Sequence, residues 1–289
     1  MREGWPSLTA AFVAFGRGVG LSDDRRDKLA SGLSPFPFSL GMTALQYSGW
    51  GREPARLLLR AASFGLVDHT LLRMEAIDDS VRRAMPTIEQ VVVLGAGLDT
   101  RAWRMNELAH ARVFEIDHPD TQAWKRSHVN NWRPAARQVS FVSVDFERDE
   151  LGRALYDVAH DPNLPTLWIW EGVTMYLERA AIDATLTQIA ERSAANSRLL
   201  VTYTRPNLLG ATAMANGVVA AAFRLLGEPL RGLFEPEELA DRLAKFGFEV
   251  VADTDSAQWA GEASSASWLP DSLRVERLAE AVCRVPVSD

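Results

Sequence analysis

The segment at residues 91–104 restricts what this chain can fold into more than any other. An apolar, β-branched run at 91–94 leads into Gly95-Ala96-Gly97, and a helix-forming segment that Asp99 or Thr100 could cap comes next. This order predicts a strand, a tight turn and a helix. Glycines in such a turn let the backbone approach a ligand closely, and the helix start offers unpaired N–H groups. The segment therefore predicts a binding site for a nucleotide-like ligand.

Beyond Gln90, strand and helix patterns alternate along the chain. The predicted strands cover residues 91–94, 112–116, 139–144, 167–170 and 199–204, and the clearest intervening helices cover 121–131 and 178–195. Alternation over this length predicts parallel βαβ units. The fold class is therefore α/β, with a doubly wound, mostly parallel sheet that binds its ligands at the carboxyl ends of the strands.

Residues 1–84 show a helical spacing of apolar residues and are predicted to form an N-terminal helical region. These helices either close one edge of the core or form a lid over the ligand site. Residues 85–289 then form the ligand-binding domain, in which a helix is predicted to begin at Pro236. The last apolar segment, 275–283, has helical period where a final antiparallel strand is expected, so its structure stays undecided.

Composition narrows the classes of partner. A formal net charge of -7 argues against a protein that coats nucleic acid or an anionic membrane. The single cysteine, Cys283, excludes an intramolecular disulfide and is expected to be a small core residue. Without CxxC or HExxH spacing, a metal-free site is expected. Because no stretch is long enough to span a bilayer and the N-terminus lacks the pattern of a signal peptide, we expect a cytoplasmic protein.

Acidic residues follow three of the predicted strands. Asp117 ends the second strand, about 20 residues beyond Gly97, where this class of fold places an acid to bind ribose hydroxyls. Asp145 ends the third strand and Glu171 ends the fourth. One carboxylate at a strand end is ordinarily just the start of a solvated loop. Because the ends of parallel strands meet at one edge, three of them favour a shared site.

The acids also distinguish between cofactors. A dinucleotide fingerprint requires a third glycine where this chain has Thr100, which disfavours a nicotinamide oxidoreductase. An acid-lined pocket suits a ligand without phosphate, and S-adenosylmethionine fits: Asp117 can bind its ribose, Asp145 its adenine amino group, and the glycine turn its amino-acid end. Methyl transfer is the reaction that this cofactor implies. A cofactor-binding scaffold without activity is the remaining alternative.

Four motifs together resemble one known family. In chain order they are GAGLDTRAWR (residues 95–104), VFEIDHPDTQAWKR (113–126), SVDF (143–146) and EGVTMYL (171–177). The series is similar to that of the leucine carboxyl methyltransferase superfamily, which includes tetracenomycin-type polyketide carboxyl methyltransferases. The resemblance implies a class I, Rossmann-like methyltransferase fold and S-adenosylmethionine as cofactor.

The resemblance also implies roles for individual residues. Arg73 would bind the carboxylate of the cofactor, although an ion pair on the helix surface with Asp78 or a neighbour is the alternative interpretation. The other implied cofactor residues are Gly95, Ala96 and Gly97 at the methionine moiety, Asp117 at the ribose with His118 beside it, Asp145 and Phe146 around the adenine, and Glu171 with Gly172 at the end of the fourth strand.

The sequence indicates less about the methyl acceptor than about the cofactor. A carboxylate, with an unperturbed pKa of about 4, needs no base, whereas a phenol, with a pKa of about 10, would profit from one. None of the five histidines follows the fourth strand, although the N-terminal helices could bring His69 over the site. We therefore expect a small apolar carboxylic acid as acceptor. A hydroxyl acceptor and a protein C-terminus are the alternatives, and the oligomeric state stays open.

Acceptor contacts are expected from Tyr176 and Tyr203, which would position the acceptor, and from Arg205, which either pairs with an acceptor carboxylate or is a solvated surface residue. The insert at residues 205–230 contains a small-residue, apolar stretch at 208–226. This stretch is either a buried helix or a roof over the acceptor, with Met214 adaptable in shape.

Overall fold

The computed structural model describes residues 8–20, 26–41, 63, 66–146, 149–206, 230–260 and 275–284. Within them, seven strands form one sheet in the order β3-β2-β1-β4-β5-β7-β6. The strands are β1 (Gln90–Leu94), β2 (Arg112–Asp117), β3 (Gln138–Ser143), β4 (Thr166–Trp170), β5 (Arg198–Thr204), β6 (Phe248–Asp255) and β7 (Glu276–Cys283).

The direction of winding reverses in the middle of the sheet. Neighbouring strands run parallel except at β7, which pairs antiparallel with both β5 and β6. The chain moves outward from β1 to β3 and then returns to place β4 beside β1. A reversal of this kind opens a crevice at the carboxyl ends of the strands. The predicted α/β class with a doubly wound, mostly parallel sheet is confirmed.

Helices precede the sheet and connect its strands. They are α1 (Leu8–Val19), α2 (Ala30–Leu33), α3 (Leu66–Ala84), α4 (Arg101–Arg104), α5 (Pro119–Val129), α6 (Leu151–Asp157), α7 (Arg179–Glu191), α8 (Pro236–Lys245) and α9 (Ser256–Ala260). Short 3-10 helices span Met85–Thr87, Asn106–Leu108 and Thr174–Tyr176. Helix α4 is a single turn, much shorter than the helix that the sequence predicted after the glycine turn.

The continuous apolar runs in the central strands follow from burial on both faces of the sheet. In β1, Val91 and Val93 pack into one core with α3, while Val92 and Leu94 pack into a second core with α7 on the opposite face. Successive side chains of a strand point to opposite faces, so a strand that is covered on both sides has apolar residues on both faces.

The same double burial explains why the final segment could not be assigned from its sequence. Residues 276–283 form strand β7, which inserts between β5 and β6. Its adjacent residues Leu278 and Ala279 pack into different cores. The apolar residues therefore do not alternate with polar ones, and the pattern mimics helical period. Cys283, at the end of this strand, is buried in the core, as expected.

The described segments also bear on a membrane span and on the predicted roof over the acceptor. None of the helices in them is long and apolar enough to cross a membrane. The apolar stretch at 208–226, with Met214, lies outside the residues that the structure describes. Its role as a roof over the acceptor stays a prediction, as does the division into an N-terminal region at 1–84 and a binding domain at 85–289.

Candidate active site

A cavity of about 450 Å³ opens at the carboxyl ends of the central strands. All the residues that the sequence assigned to the cofactor lie on its wall. They are Gly95, Ala96 and Gly97 after β1, Asp117 and His118 at β2, Asp145 and Phe146 after β3, Glu171 and Gly172 after β4, and Arg73 from α3. Because parallel strands end at one edge of the sheet, residues far apart in sequence meet here.

The turn after β1 requires glycine for steric reasons. Gly95 has a φ of +66°, and a Cβ atom at this position would lie 2.3 Å from Cγ2 of Val173. Gly97 has a φ of +49°. The backbone N–H of Ala96 donates to the carbonyl oxygen of Ile116 at 2.9 Å, which ties the turn to the end of β2. Larger residues would force the backbone away from the cavity.

Asp117 is held by backbone donors at the end of β2. Its Oδ1 accepts from the N–H of His118 at 2.6 Å, and its Oδ2 accepts from the N–H of Gly97. Burial raises the pKa of Asp117 above its ordinary value, although both backbone donors favour the charged form. A carboxylate oxygen can accept more than one hydrogen bond, so both oxygens retain capacity for hydroxyl donors.

Two neighbouring positions are shaped by local turns. The N–H of Asp145 donates to Oδ2 of Asp149 at 2.8 Å, which closes the turn after β3 and leaves Asp145 half-buried on the cavity wall. Nδ1 of His118 accepts from the N–H of Asp120 at 3.3 Å and so caps helix α5. The imidazole of His118 thus has a structural partner as well as a place on the wall.

A chain of buried ion pairs lies on the α3 side of the cavity. Nε of Arg73 donates to Oε1 of Glu171 at 3.0 Å, and Oε2 of Glu171 accepts from Nη1 of Arg101 at 2.8 Å. Burial opposes the charged form of Glu171, but Arg101 and Arg73 outweigh it and lower its pKa. The alternative pairing of Arg73 with Asp78 is not formed, because Asp78 instead accepts from Arg101 at 2.7 Å.

Three residues that the sequence analysis missed belong to this site. Arg17 of α1 lines the cavity and donates from Nη2 to the carbonyl oxygen of Leu98 at 2.7 Å. It is the one charged residue in α1, a signal that could have identified it. Asp99 also lines the cavity and accepts from the N–H of Arg101 at 2.6 Å. Glu276, from β7, binds Arg73 and belongs to no motif.

The predicted acceptor residues are distributed differently. Tyr176 lies on the cavity wall, beside Met175 and Leu177. Tyr203 does not reach the cavity: it is buried in the core, and its hydroxyl donates to Oδ2 of Asp253 at 2.6 Å. Tyr203 lies on the face of β5 that packs into the same core as Leu199 and Val201, so its side chain points into that core and the expected acceptor contact is not made.

Arg205 also stands apart from the cavity. Its Nε donates to Oε2 of Glu235 at 2.8 Å, and both side chains are exposed, as in the solvated surface alternative.

Among the described residues, His118 is the histidine on the cavity wall. His69 does not line the cavity. It is buried, and its Nε2 lies 2.5 Å from Oε2 of Glu276. The described residues contain no group of three or more His, Cys, Asp or Glu side chains placed to hold a metal ion.

Comparison with known proteins finds one matching family model. Residues 50–190 match the family model described as leucine carboxyl methyltransferase. These residues make up slightly less than half of the chain, and over them the chain is similar to that family. The resemblance found in the four sequence motifs is thereby confirmed, and all four motifs lie within the family segment, together with Arg73.

The chain is similar to proteins from two Streptomyces species. The chain is 39% identical over 152 residues to a Streptomyces avermitilis protein named "Putative S-adenosyl-L-methionine-dependent methyltransferase", a match that covers 52% of each chain. It is 34% identical over 210 residues to a Streptomyces coelicolor protein whose name begins with the same words, covering 68% of this chain and 65% of the relative. The chain spans about half the length of the first curated relatives it matches.

Solved structures share the fold. A crystal structure of a DUF574 family protein from Streptomyces avermitilis superposes with a TM-score of 0.63 at 14% identity, covering 96% of this chain and 97% of that one. A second, named as a putative methyltransferase from Thermobifida fusca, gives 0.60 at 16% identity, with 98% and 96% covered. These likenesses concern the fold alone.

Proposed function

We propose that this chain is an S-adenosylmethionine-dependent methyltransferase that esterifies a carboxylate of a small apolar molecule. The observation that carries the proposal is the convergence on one cavity of the glycine turn after β1 and the acidic ends of β2, β3 and β4. The names of its relatives, which refer to this cofactor, support the same interpretation.

The wall offers a partner for each part of the cofactor. Asp117 accepts hydrogen bonds from the ribose hydroxyls, while Asp145 and Phe146 surround the adenine. The turn at Gly95 lies against the methionine chain. Nη2 of Arg73 has no hydrogen-bond partner among the described residues and binds the carboxylate of the cofactor. Arg17, whose Nε is buried without a partner among those residues, adds positive charge nearby.

The chemical step requires positioning more than acid or base. A carboxylate oxygen of the acceptor forms a bond to the methyl carbon while the carbon–sulfur bond breaks, and the electron pair of that bond stays on sulfur. The products are S-adenosylhomocysteine and a methyl ester, and no proton moves. Holding the oxygen in line at about 3 Å in a site closed to water supplies most of the gain.

The acceptor side of the cavity favours an apolar anion. Met175, Tyr176 and Leu177 give it a mainly apolar wall, and Arg231 lies beside them. Nη1 of Arg231 is 3.3 Å from Oε1 of Glu178, and both side chains are exposed. Exposed ion pairs contribute little free energy, so Arg231 can exchange Glu178 for an acceptor carboxylate at low cost.

The linkage formed by the enzyme tests the proposal. We expect transfer of labelled methyl from S-adenosylmethionine to members of a panel of aromatic and aliphatic acids, giving products that mild base hydrolyses to methanol. Matched alcohols and phenols serve as controls, and their ethers would resist base. A base-stable product would contradict the carboxylate assignment. Binding of NADH instead of S-adenosylhomocysteine in calorimetry would contradict the methyltransferase assignment itself.

A further inference from the structure

We propose that Glu276 and His69 form a positioning pair that fixes the guanidinium of Arg73 so that one of its nitrogens faces the carboxylate of the cofactor. The inference rests on the proposed function, because it concerns how that function's cofactor is held. Glu276 lies on the last strand of the sheet, outside the family segment and outside every motif of the sequence.

The geometry divides the guanidinium into held and free nitrogens. Both carboxylate oxygens of Glu276 accept from Nη1 of Arg73, at 2.7 and 2.9 Å, and Glu171 accepts from Nε at 3.0 Å. Nη2 has no hydrogen-bond partner among the described residues. A Cβ atom built on Gly172, a cavity residue, would lie 3.7 Å from Nη2. Two carboxylates therefore hold two nitrogens and leave the third at the cavity.

Burial makes this arrangement rigid. The side chains of Arg73 and Glu276 are 7% and 8% exposed, so water cannot replace either partner. Burial by itself disfavours both charged groups. The attraction of their partners outweighs this cost, so the pKa of Arg73 is raised and that of Glu276 is lowered to about 2. A planar guanidinium held at two nitrogens has no freedom to rotate.

His69 supplies the third contact to Glu276. It lies four residues before Arg73 on α3, so both side chains leave the same face of that helix. Nε2 of His69 is 2.5 Å from Oε2 of Glu276, and its ring packs against that of Trp259 at 5.7 Å between centroids. One helix thus presents two donors to one carboxylate, which sets the position of Glu276 as well as its charge.

The same strand and helix supply a matched control. Glu280, four residues along β7, accepts from Nη2 of Arg83 at 2.6 Å and from the hydroxyl of Ser80 at 2.5 Å. This pair joins β7 to α3 as the Arg73 pair does, but it does not lie on the cavity wall. Glu280→Gln therefore removes an ion pair between the same two elements without touching Arg73.

Calorimetry with two ligands tests the inference on the full chain. S-adenosylhomocysteine carries the carboxylate, whereas 5′-methylthioadenosine retains the adenosine and sulfur but lacks the amino-acid end. We expect Glu276→Gln to weaken binding of S-adenosylhomocysteine on the order of 10-fold and to leave methylthioadenosine unchanged. His69→Gln should produce a smaller loss of the same kind. Glu280→Gln should leave both affinities unchanged.

A purely structural role for Glu276 predicts a different result. It would weaken both ligands equally, and that outcome in a folded variant would overturn the inference, as would no change in either affinity. If Glu276→Gln does not fold, Glu276→Asp provides the test, because it keeps the charge but cannot reach Arg73 equally well. Its folded form must lose S-adenosylhomocysteine selectively. Failure of the unaltered chain to bind S-adenosylhomocysteine would instead contradict the proposed function.

A double variant separates positioning from direct contact. Arg73→Gln should abolish the preference for S-adenosylhomocysteine over methylthioadenosine. Adding Glu276→Gln to it should cost no further affinity, because Glu276 acts through Arg73. Additive losses would show that Glu276 influences the cofactor by another route and would overturn the assignment.

Discussion

Gly97 donates its backbone N–H to the carboxylate of Asp117, 20 residues further along the chain. The bond joins the glycine turn after β1 to the end of β2, the two places that the proposal assigns to the methionine chain and the ribose. Because the second oxygen of Asp117 accepts from the N–H of His118, the carboxylate is fixed before any ligand arrives. Preorganisation of this kind lowers the cost of ordering a site on binding.

Replacing Asp117 with alanine should weaken the cofactor strongly. The change removes the acceptor for the ribose hydroxyls and leaves two backbone donors without their partner. We expect binding of S-adenosylhomocysteine, measured by calorimetry, to weaken by roughly 1.5 to 3 kcal/mol, the range for hydrogen bonds to charged groups. Asp157→Ala, which removes an exposed pair with Arg153, is the control. Unchanged affinity in a folded Asp117→Ala variant would remove this residue from the site.

Alanine at Gly95 should destabilise the chain more than alanine at Gly172. Both glycines have positive φ, +66° and +69°, so each substitution costs about 1–2 kcal/mol of backbone strain. At Gly95 the new methyl group also meets Val173 at 2.3 Å, whereas at Gly172 the nearest atom is 3.7 Å away. The additional cost of this clash is about 1–3 kcal/mol. Urea denaturation without ligand measures the difference.

The partner of this clash can be removed separately. Val173→Ala deletes the methyl group that Gly95→Ala would meet, so the double variant should recover most of the additional loss. Equal destabilisation of the two glycine variants would show that the contact with Val173 is not what requires glycine after β1.

The parts of the site that the sequence identified share one property: each follows a strand or lies within a motif. The carboxyl ends of parallel strands must converge, so the sequence alone was enough to bring Asp117, Asp145 and Glu171 together. It was not enough for Glu276, because the contact of Glu276 with Arg73 depends on β7 inserting between β5 and β6. No local pattern encodes that insertion.

The error at Tyr203 has a related origin. The residue lies near the end of β5, where a side chain can point either toward the ligand crevice or into the core, and alternation along the strand decides which. Tyr203 shares its face with Leu199 and Val201 in the core, and its hydroxyl finds a partner in Asp253 on β6. Both faces of β5 are buried, since Leu200 packs into the other core. What each face packs against depends on tertiary structure, which the sequence of one strand does not specify.

Glu276 should make the chain sensitive to acid. Its pKa falls from an ordinary 4.5 to about 2 because Arg73 and His69 outweigh the cost of burial. A lowered pKa gives stability that is present above about pH 4.5 and is lost as the pH falls toward 2. The gap in unfolding free energy between the unaltered chain and Glu276→Gln should therefore shrink by about 2 kcal/mol from about pH 5 to about pH 3. Denaturant titrations across this range check it, and a constant gap would contradict the pairing.

Arg231 should affect the acceptor and not the cofactor. With Arg231→Gln we expect KM for an acid acceptor from the panel to rise on the order of 10-fold, the loss of one charge-assisted hydrogen bond. Affinity for S-adenosylhomocysteine should stay constant. Arg205→Gln is the matched control, since Arg205 forms a comparable exposed pair with Glu235 away from the cavity. Equal effects of the two variants would show that Arg231 has no specific role in acceptor binding.

Beneath the proposed ribose site, Lys125 should be essential for stability. Its Nζ lies 2.7 Å from Oε2 of Glu115, two residues before Asp117, and both side chains are almost fully buried. Lys125→Met leaves Glu115 buried without its partner, and removing one member of such a pair costs about 3–5 kcal/mol. The double variant Lys125→Met with Glu115→Gln should recover part of this loss, because neither position then carries a buried charge.

The loss of stability caused by Lys125→Met should depend on pH in a direction that can be measured. Burial raises the pKa of Glu115 from 4.5 to about 7 even with Lys125 present, and loss of Lys125 raises it further. A raised pKa gives stability that is present at low pH and is lost as the pH rises through it. The loss caused by Lys125→Met should therefore be larger at about pH 8, where Glu115 must ionise, than at about pH 5, where it can stay protonated. Denaturant unfolding at both values measures the two losses. Equal losses at the two values would mean that Lys125 stabilises the chain through its contact with Trp103, 5.2 Å from the ring centroid, and not through Glu115.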